Sequence, residues 1–201
     1  MRSRFAIARR SGALLLAFAP HLPAQATSER IAALLQGAYD QVGVTIHYDG
    51  SYRPIPFPGG DVPADRGVCT DVIVRAYRRI GVDLQRLVHE DMTRAFRSYP
   101  GRWGLPGPDP NIDHRRVPNL VAFFARHGRS LPVSRRAADY LPGDIVTWRL
   151  PSGNPHIGLV TDREQEGRRL IVHDIGAGTV IEDALFAFSM TGHYRYDPEH
   201  D

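Results

Sequence analysis

Apolar positions follow one period in the first half of the chain and another in the second. From Thr27 to Gln41, Ile31, Leu34, Leu35 and Ala38 recur at helical spacing, with Thr27 or Ser28 placed as a cap. Between Val68 and Ile80 the apolar residues Val72, Ile73, Ala76 and Ile80 fall three, four, seven and eleven residues after Cys69. One helical face carries them all, and the cysteine turns toward the packed side. Asp83 to Tyr99 predicts a third helix. Val117 to His127 predicts a short fourth, with Leu120, Val121, Phe123 and Phe124 on its apolar face.

After Pro142-Gly143 the period shortens. Residues 144–150 (DIVTWRL), 156–162 (HIGLVTD), 170–175 (LIVHDI) and 193–196 (HYRY) are short runs of β-branched and aromatic residues between Gly, Pro, Asn and Asp turns. Helices first and strands afterwards is the α+β pattern: a helical N-terminal half packed on a C-terminal antiparallel sheet or half barrel.

Two irregular stretches interrupt this order. Residues 50–67 carry four prolines and four glycines, and 100–118 read PGRWGLPGPDPNIDHRRVP. Ordered loops of this length often border functional sites, which makes Asp61, Arg66, Asp113, His114 and Arg115 candidates for a substrate groove. A charged loop anchored by its own hydrogen bonds is the competing reading.

The N-terminus bears on compartment and charge. Arg2, Arg4, Arg9 and Arg10 precede an apolar run from Gly12 to Leu22, and Ala24-Gln25-Ala26 supplies small residues at a cleavage spacing. Residues 1–26 are therefore expected to be a secretory signal peptide, leaving 27–201 as one exported, periplasmic domain. The Arg9-Arg10 pair keeps a twin-arginine route open beside the general one. The run is shorter than the roughly 20 residues that cross a bilayer, so no transmembrane segment is expected. The chain carries a formal charge of +3. Removing four arginines and no acid leaves 3 − 4 = −1, and no basic stripe for nucleic acid remains.

Cys69 is the only cysteine. It cannot form an intramolecular disulfide, and a lone thiol is often just a small core residue. Its position at a helix start is what argues for chemistry, because unpaired N–H groups and the helix dipole there favour a thiolate. A base is also required, and among nine histidines two stand out by position. His156 opens a strand after Asn154-Pro155. His173 interrupts the apolar run Leu170-Ile171-Val172 and precedes Asp174. Adjacent strand residues face opposite sides, so only one of His173 and Asp174 can orient His156.

These motifs resemble the papain-like cell-wall hydrolases of the NlpC type and their CHAP amidase relatives. Cys69 matches the nucleophile, PGDIVTW (142–148) the strand before the histidine, HIGLV (156–160) the histidine strand, and LIVHDIGAGTVI the strand carrying the third member at His173. More closely, GVCTDV, NIDHRRVPNL, PGDIVTW, PHIGLV and GHYRY resemble a bacterial family of exported domains of unknown function grouped with those hydrolases, over about residues 30–197. The resemblance implies a papain-like fold, a Cys69–His156–His173 triad, no cofactor and no metal, and amidase or endopeptidase action on peptidoglycan peptides. It also implies that the His156 ring lies within reach of the sulfur and that the thiolate persists at mildly acidic pH. The chain departs from the usual Asp-Cys-Ser-Gly pattern with Val68-Cys69-Thr70-Asp71, so bond specificity does not carry over.

Three rival readings differ in class. A metal site could draw on His156, His173, Asp174 and His114, although His173-Asp174 lies in a strand-like run rather than on the helix a metal phosphohydrolase signature occupies. A papain-like fold could serve as a non-catalytic envelope-binding module. A thioester-forming acyltransferase would use the same nucleophile.

Overall fold

The computed structural model describes residues 22–101 and 103–198, with the side chains of 22–26 left aside. The expected signal peptide falls almost wholly outside them. The first helix, α1, runs Leu22–Tyr39 and so begins before the expected Thr27. A two-residue strand β1 (His47–Tyr48) pairs in parallel with β2 (Arg66–Gly67). Helices α2 (Cys69–Arg79) and α3 (Leu84–Ala95) follow, and a 3-10 turn at Phe96–Ser98 takes the place of the last turn expected for α3.

The 100–118 stretch stays irregular except for a 3-10 turn at Asp113–Arg115, and then α4 spans Val117–His127 with Pro118 in its first turn. Proline is tolerated there because that N–H has no intrahelical partner. Strand β3 (Arg129–Ser130) leads into β4 (Ile145–Arg149), β5 (Pro155–Gln165), β6 (Arg168–Asp174), β7 (Thr179–Glu182) and β8 (Ser189–Arg195).

These six strands form one sheet in the order β3-β8-β4-β5-β6-β7, antiparallel at every pairing. The protein thus joins helices to an antiparallel sheet, as the change of period predicts. Strand alternation divides the sheet's side chains between two cores. Ile145, Ile157, Leu159 and Val172 pack with Ile73, Ala76 and Tyr77 of α2 and with Leu120 and Phe124 of α4. Val146, Trp148, Val160 and Ile171 face the other way and are covered by Tyr140, Ala184 and Leu185. Helix α2 lies on β5 and β6, and its residues from Cys69 to Val74 are all buried. Truncating Ile73, which is fully buried, to Ala would cost about 2–5 kcal/mol.

A clasp closes the far side of the sheet. The buried Asp144 carboxylate at the start of β4 receives Arg195 Nε at 2.6 Å and pairs with His193 Nε2 at 2.7 Å, tying β4 to β8. Its charges are satisfied within the fold, which is what allows a carboxylate to be fully buried. Among the described residues no helix is long and apolar enough to cross a membrane.

Candidate active site around Cys69

Helix α2 starts on the cysteine because the chain is turned and capped there. Val68 is extended, and its N–H donates to Asp71 Oδ2 at 2.7 Å, so the third helical residue caps the first turn. The backbone N–H groups of Ile157 on β5 and of Thr70 lie close enough to the sulfur to favour its ionised form. The contact from β5 to the sulfur is thus made by the residue one past His156, where a contact from the His156 ring was expected.

Strand alternation explains the substitution. Ile157 faces the helices, whereas His156 takes the opposite side and stacks on Trp148 at 5.7 Å. The ring and the thiol can therefore meet only around the start of β5. Asn154 and Pro155 border the cleft at that point.

His156 is held by a chain of three side chains. Its Nε2 lies 2.7 Å from His173 Nδ1, and His173 Nε2 lies 2.9 Å from Glu182 Oε1 on β7. An ionised carboxylate only accepts, so His173 donates from Nε2 and accepts at Nδ1, and His156 donates from Nε2. The remaining lone pair of His156 is then on Nδ1, which is the atom available as a base. Glu182 is the member the sequence reading missed. It sits in a four-residue strand with no periodic signal, and register places it across the β6–β7 pair from Ile171, diagonal to His173.

Burial dominates the charge states. It pushes the Cys69 thiol up to about 12, with the Asp71 and Asp174 carboxylates adding to it against the pull of the Ile157 and Thr70 N–H groups. Burial, and then His173, hold His156 down at about 3. His173 is also lowered by burial, opposed by Glu182. Burial thus favours a neutral thiol and a neutral imidazole, against the thiolate that the helix start alone would favour. Desolvation here outweighs the dipole, whose influence is typically below about 1 kcal/mol at an exposed site.

Cys69 opens on a cleft of about 460 Å³ bordered by Tyr48, Trp103, Arg115, Arg116 and Asn154. Of the five groove candidates, Arg115 borders it. Asp61 instead binds Arg75 and Arg78 and pins the 61–66 loop to α2. Arg66 pairs with Asp65. Asp113 caps its own loop through the Asp109 N–H and holds Arg116 at 3.0 Å. His114 is buried away from the cleft lining and is pushed down to about 4 by burial and then by Arg115. Local anchoring, the competing reading for the 100–118 loop, describes Asp113, and partners near Asp61 and Arg66 hold those two in the same way.

Arg115 also has a structural tie. Its Nε and Nη2 each lie 2.9 Å from an Asp71 oxygen, and its other bonds go to the Asp49 and Ser51 carbonyls. Asp174 lies on the helix side with Val172. Its Oδ1 accepts the Gly176 N–H at 3.0 Å, while Oδ2 is buried without a partner. His173, not Asp174, contacts His156. Among the described residues no cluster of three or more His, Cys, Asp or Glu is arranged to hold a metal.

YijF of Escherichia coli (strain K12), an uncharacterized protein, is 53% identical over 165 residues, covering 82% of this chain and 80% of that relative. A solved structure, NlpC1 from Trichomonas vaginalis, aligns with a TM-score of 0.41 and 17% identity over 83% of this chain and 42% of that one. The chain thus spans less than half the length of that structure. The family model described as a domain of unknown function, DUF1287, matches residues 35–196, and the chain belongs to that family.

Proposed function

We propose that this protein is an exported, periplasmic cysteine hydrolase of papain-like fold that cleaves an amide bond in peptidoglycan peptides. The observation that carries the reading is the buried side-chain chain His156–His173–Glu182, whose first member directly precedes Ile157, the β5 residue whose N–H approaches the sulfur of the helix-start Cys69. A stack of buried histidines on a carboxylate costs desolvation that a purely structural core would avoid. The peptidoglycan substrate rests on the motif resemblance of Cys69, PGDIVTW, HIGLV and LIVHDI.

In this reading the Cys69 sulfur attacks the amide carbonyl carbon as its proton passes to His156 Nδ1. Burial penalises either charge alone, but the transfer creates both at once and His173–Glu182 supports the imidazolium. The Cys69 backbone N–H stabilises the oxyanion. The His156 proton then goes to the leaving amine, giving a thioester and a free amine. Water, deprotonated by His156, attacks the thioester, releasing the acid and restoring the thiol.

One observation favours a second reading. A thiol that is 3% exposed and pushed up to about 12 is also what a non-catalytic binding module would contain. An acyltransferase would share the first half of the scheme and replace water by another nucleophile. Mass spectrometry of soluble fragments released from purified peptidoglycan separates the three. Hydrolysed ends that disappear in Cys69→Ala support the hydrolase, new cross-links support transfer, and no change in the fragments supports binding alone.

A further inference from the structure

Strand β3 covers only part of β8. It pairs with Tyr194 and Arg195, and the Leu131 N–H adds one bond to the His193 carbonyl. The chain then leaves the sheet at Pro132, which has no N–H to donate. Two residues on, the backbone of Ser134 is held by Tyr140 instead: its N–H donates to the Tyr140 hydroxyl at 3.0 Å, and its carbonyl accepts from the same hydroxyl at 2.8 Å. Ser189 to Gly192 are thus without a strand partner on the outer side of β8, and among the described residues no other backbone bond reaches them there. A bulge at Thr191 in the β4–β8 pair keeps this open run short.

A gap stands where the missing strand would lie. It measures about 290 Å³ between Val133–Arg135 and Ser189–Met190, and it continues past Phe186 and Phe188 into a space of about 380 Å³ at Arg149 to Pro151. Neither stretch shares a bordering residue with the Cys69 cleft. The floor is apolar, because Phe186, Phe188 and Met190 pack on the second core and are only partly buried there. The rim is positive. Arg135 is exposed, and its side chain makes no hydrogen bond or ion pair among the described residues. The exposed Arg149 side chain makes one bond, from Nη1 to the Gly153 carbonyl at 3.2 Å. Among the described residues no acidic side chain borders either stretch.

Strand alternation gives the gap two sides. Met190 and its β4 partner Trp148 face the second core, so the neighbouring pair Ser189 and Arg149 faces the other way. A strand laid against β8 would set alternate side chains over the phenylalanines and the rest on the side of Arg149.

We infer that the open edge of β8 is a docking site for an extended acidic segment of a partner protein, with apolar and acidic residues in alternation, which pairs with Ser189–Gly192 in the gap that β3 leaves. Main-chain hydrogen bonds supply the affinity, and the aromatic floor and the two arginines select the partner. A second copy of this chain suits the edge less well, since a two-fold contact sets the same arginines against each other. The inference is independent of the chemistry proposed for Cys69.

The test uses the full chain and two synthetic peptides, acetyl-Glu-Val-Glu-Val-Glu-Val-amide and acetyl-Lys-Val-Lys-Val-Lys-Val-amide. Calorimetry at low salt should favour the acidic peptide by about tenfold, the scale of two solvent-exposed charge contacts, and by less as salt rises. Amide hydrogen exchange followed by NMR should slow within Ser189–Gly192 when the acidic peptide is added. Arg135→Glu combined with Arg149→Glu should reverse the preference and leave the melting temperature unchanged, because neither arginine holds a carboxylate in the fold. Equal binding of the two peptides, binding of neither, slowed exchange confined to the Cys69 cleft, or a charge-reversed protein that still prefers the acidic peptide would overturn the assignment. Sedimentation that shows dimers, with the same β8 amides protected before any peptide is added, would overturn it in favour of a second copy.

Discussion

His156 Nε2 and His173 Nδ1 are 2.7 Å apart on neighbouring strands, although 17 residues separate them in sequence. Antiparallel pairing of β5 with β6 creates this contact, because the two rings project from the same face of the sheet. On the proposed hydrolase reading, the direction imposed by Glu182 makes His173 a positioning residue and leaves His156 Nδ1 free to act as the base.

Cys69→Ala and His156→Ala should each abolish turnover of peptidoglycan fragments, and the double variant should be no worse than either single one, since such groups act as a unit. His173→Ala should lower kcat by about 10²–10⁴-fold with KM little changed, the scale of losing a tautomer-fixing partner. Glu182→Gln should cost much less, because half of its side chain is solvated. Fragment release followed by mass spectrometry reads all five variants.

Iodoacetamide labelling of Cys69 should be slow at neutral and mildly acidic pH and should accelerate only in the alkaline range, because burial holds the thiol protonated. A labelling rate that stays high down to pH 5 would show instead that the Cys69–His156 pair rests as thiolate and imidazolium.

Acid should destabilise the fold through two histidines. His156 at about 3 and His114 at about 4 both lie below the ordinary 6.5, so the unfolded chain binds more protons than the folded one in between. Their stabilisation is complete above pH 6.5 and is lost as pH falls toward 4, by up to about 1.4 kcal/mol per pH unit for each group. Melting temperature measured from pH 8 to 4 should fall accordingly. His114→Gln should make that fall shallower, since the His114 Nδ1 has no partner to lose.

Arg115→Ala should unfold the protein more readily as well as silence it. Removing it leaves the buried Asp71 carboxylate unpaired, a loss on the order of 3–5 kcal/mol. Denaturant midpoints and turnover should fall together, whereas Arg116→Gln should leave the midpoint nearly unchanged.

Gly158→Ala should disturb the site from behind. An added Cβ would lie 2.6 Å from Ile171 Cγ2 and 3.2 Å from the Trp148 ring, the ring that stacks on His156. The backbone there is in an ordinary strand, so crowding alone acts, and overpacking of this kind costs about 1–3 kcal/mol. Tryptophan fluorescence should report the displaced ring, and turnover should fall with it.

Elements with a clear period were legible in the sequence. The expected α2 and α4 differ from the observed helices by no more than a residue at either end, and four of the six strands of the sheet coincide with β-branched runs. β7 and the two-residue strands escaped because they are too short to show alternation, and with β7 went Glu182. Cys69 could be named as the lone cysteine at a helix start, His156 because it opens a strand after Asn154-Pro155, and His173 because it interrupts an apolar run. Their charge states could not, since desolvation depends on atoms brought in by α4, β4 and the 100–118 loop. The irregular stretches show why charged residues mislead: Asp61 and Asp113 look available in sequence because their partners are distant or lie within the loop itself, and His114 looks exposed although it is buried.

Asp71 also makes two parts of the site a single mechanical piece. The same carboxylate holds the Val68 N–H that starts the cysteine helix and the Arg115 guanidinium that grips the Asp49 and Ser51 carbonyls. Nucleophile, helix cap and the Tyr48–Ser51 wall therefore shift as a rigid frame, and their spacing survives thermal motion. On the peptidoglycan reading, clearance for a bulky polymer would come from the opposite bank, where Arg116 stacks on Trp103. An intact sacculus and a small released peptide would then place different demands on the same cleft, the first requiring that bank to swing aside and the second able to enter with it in place.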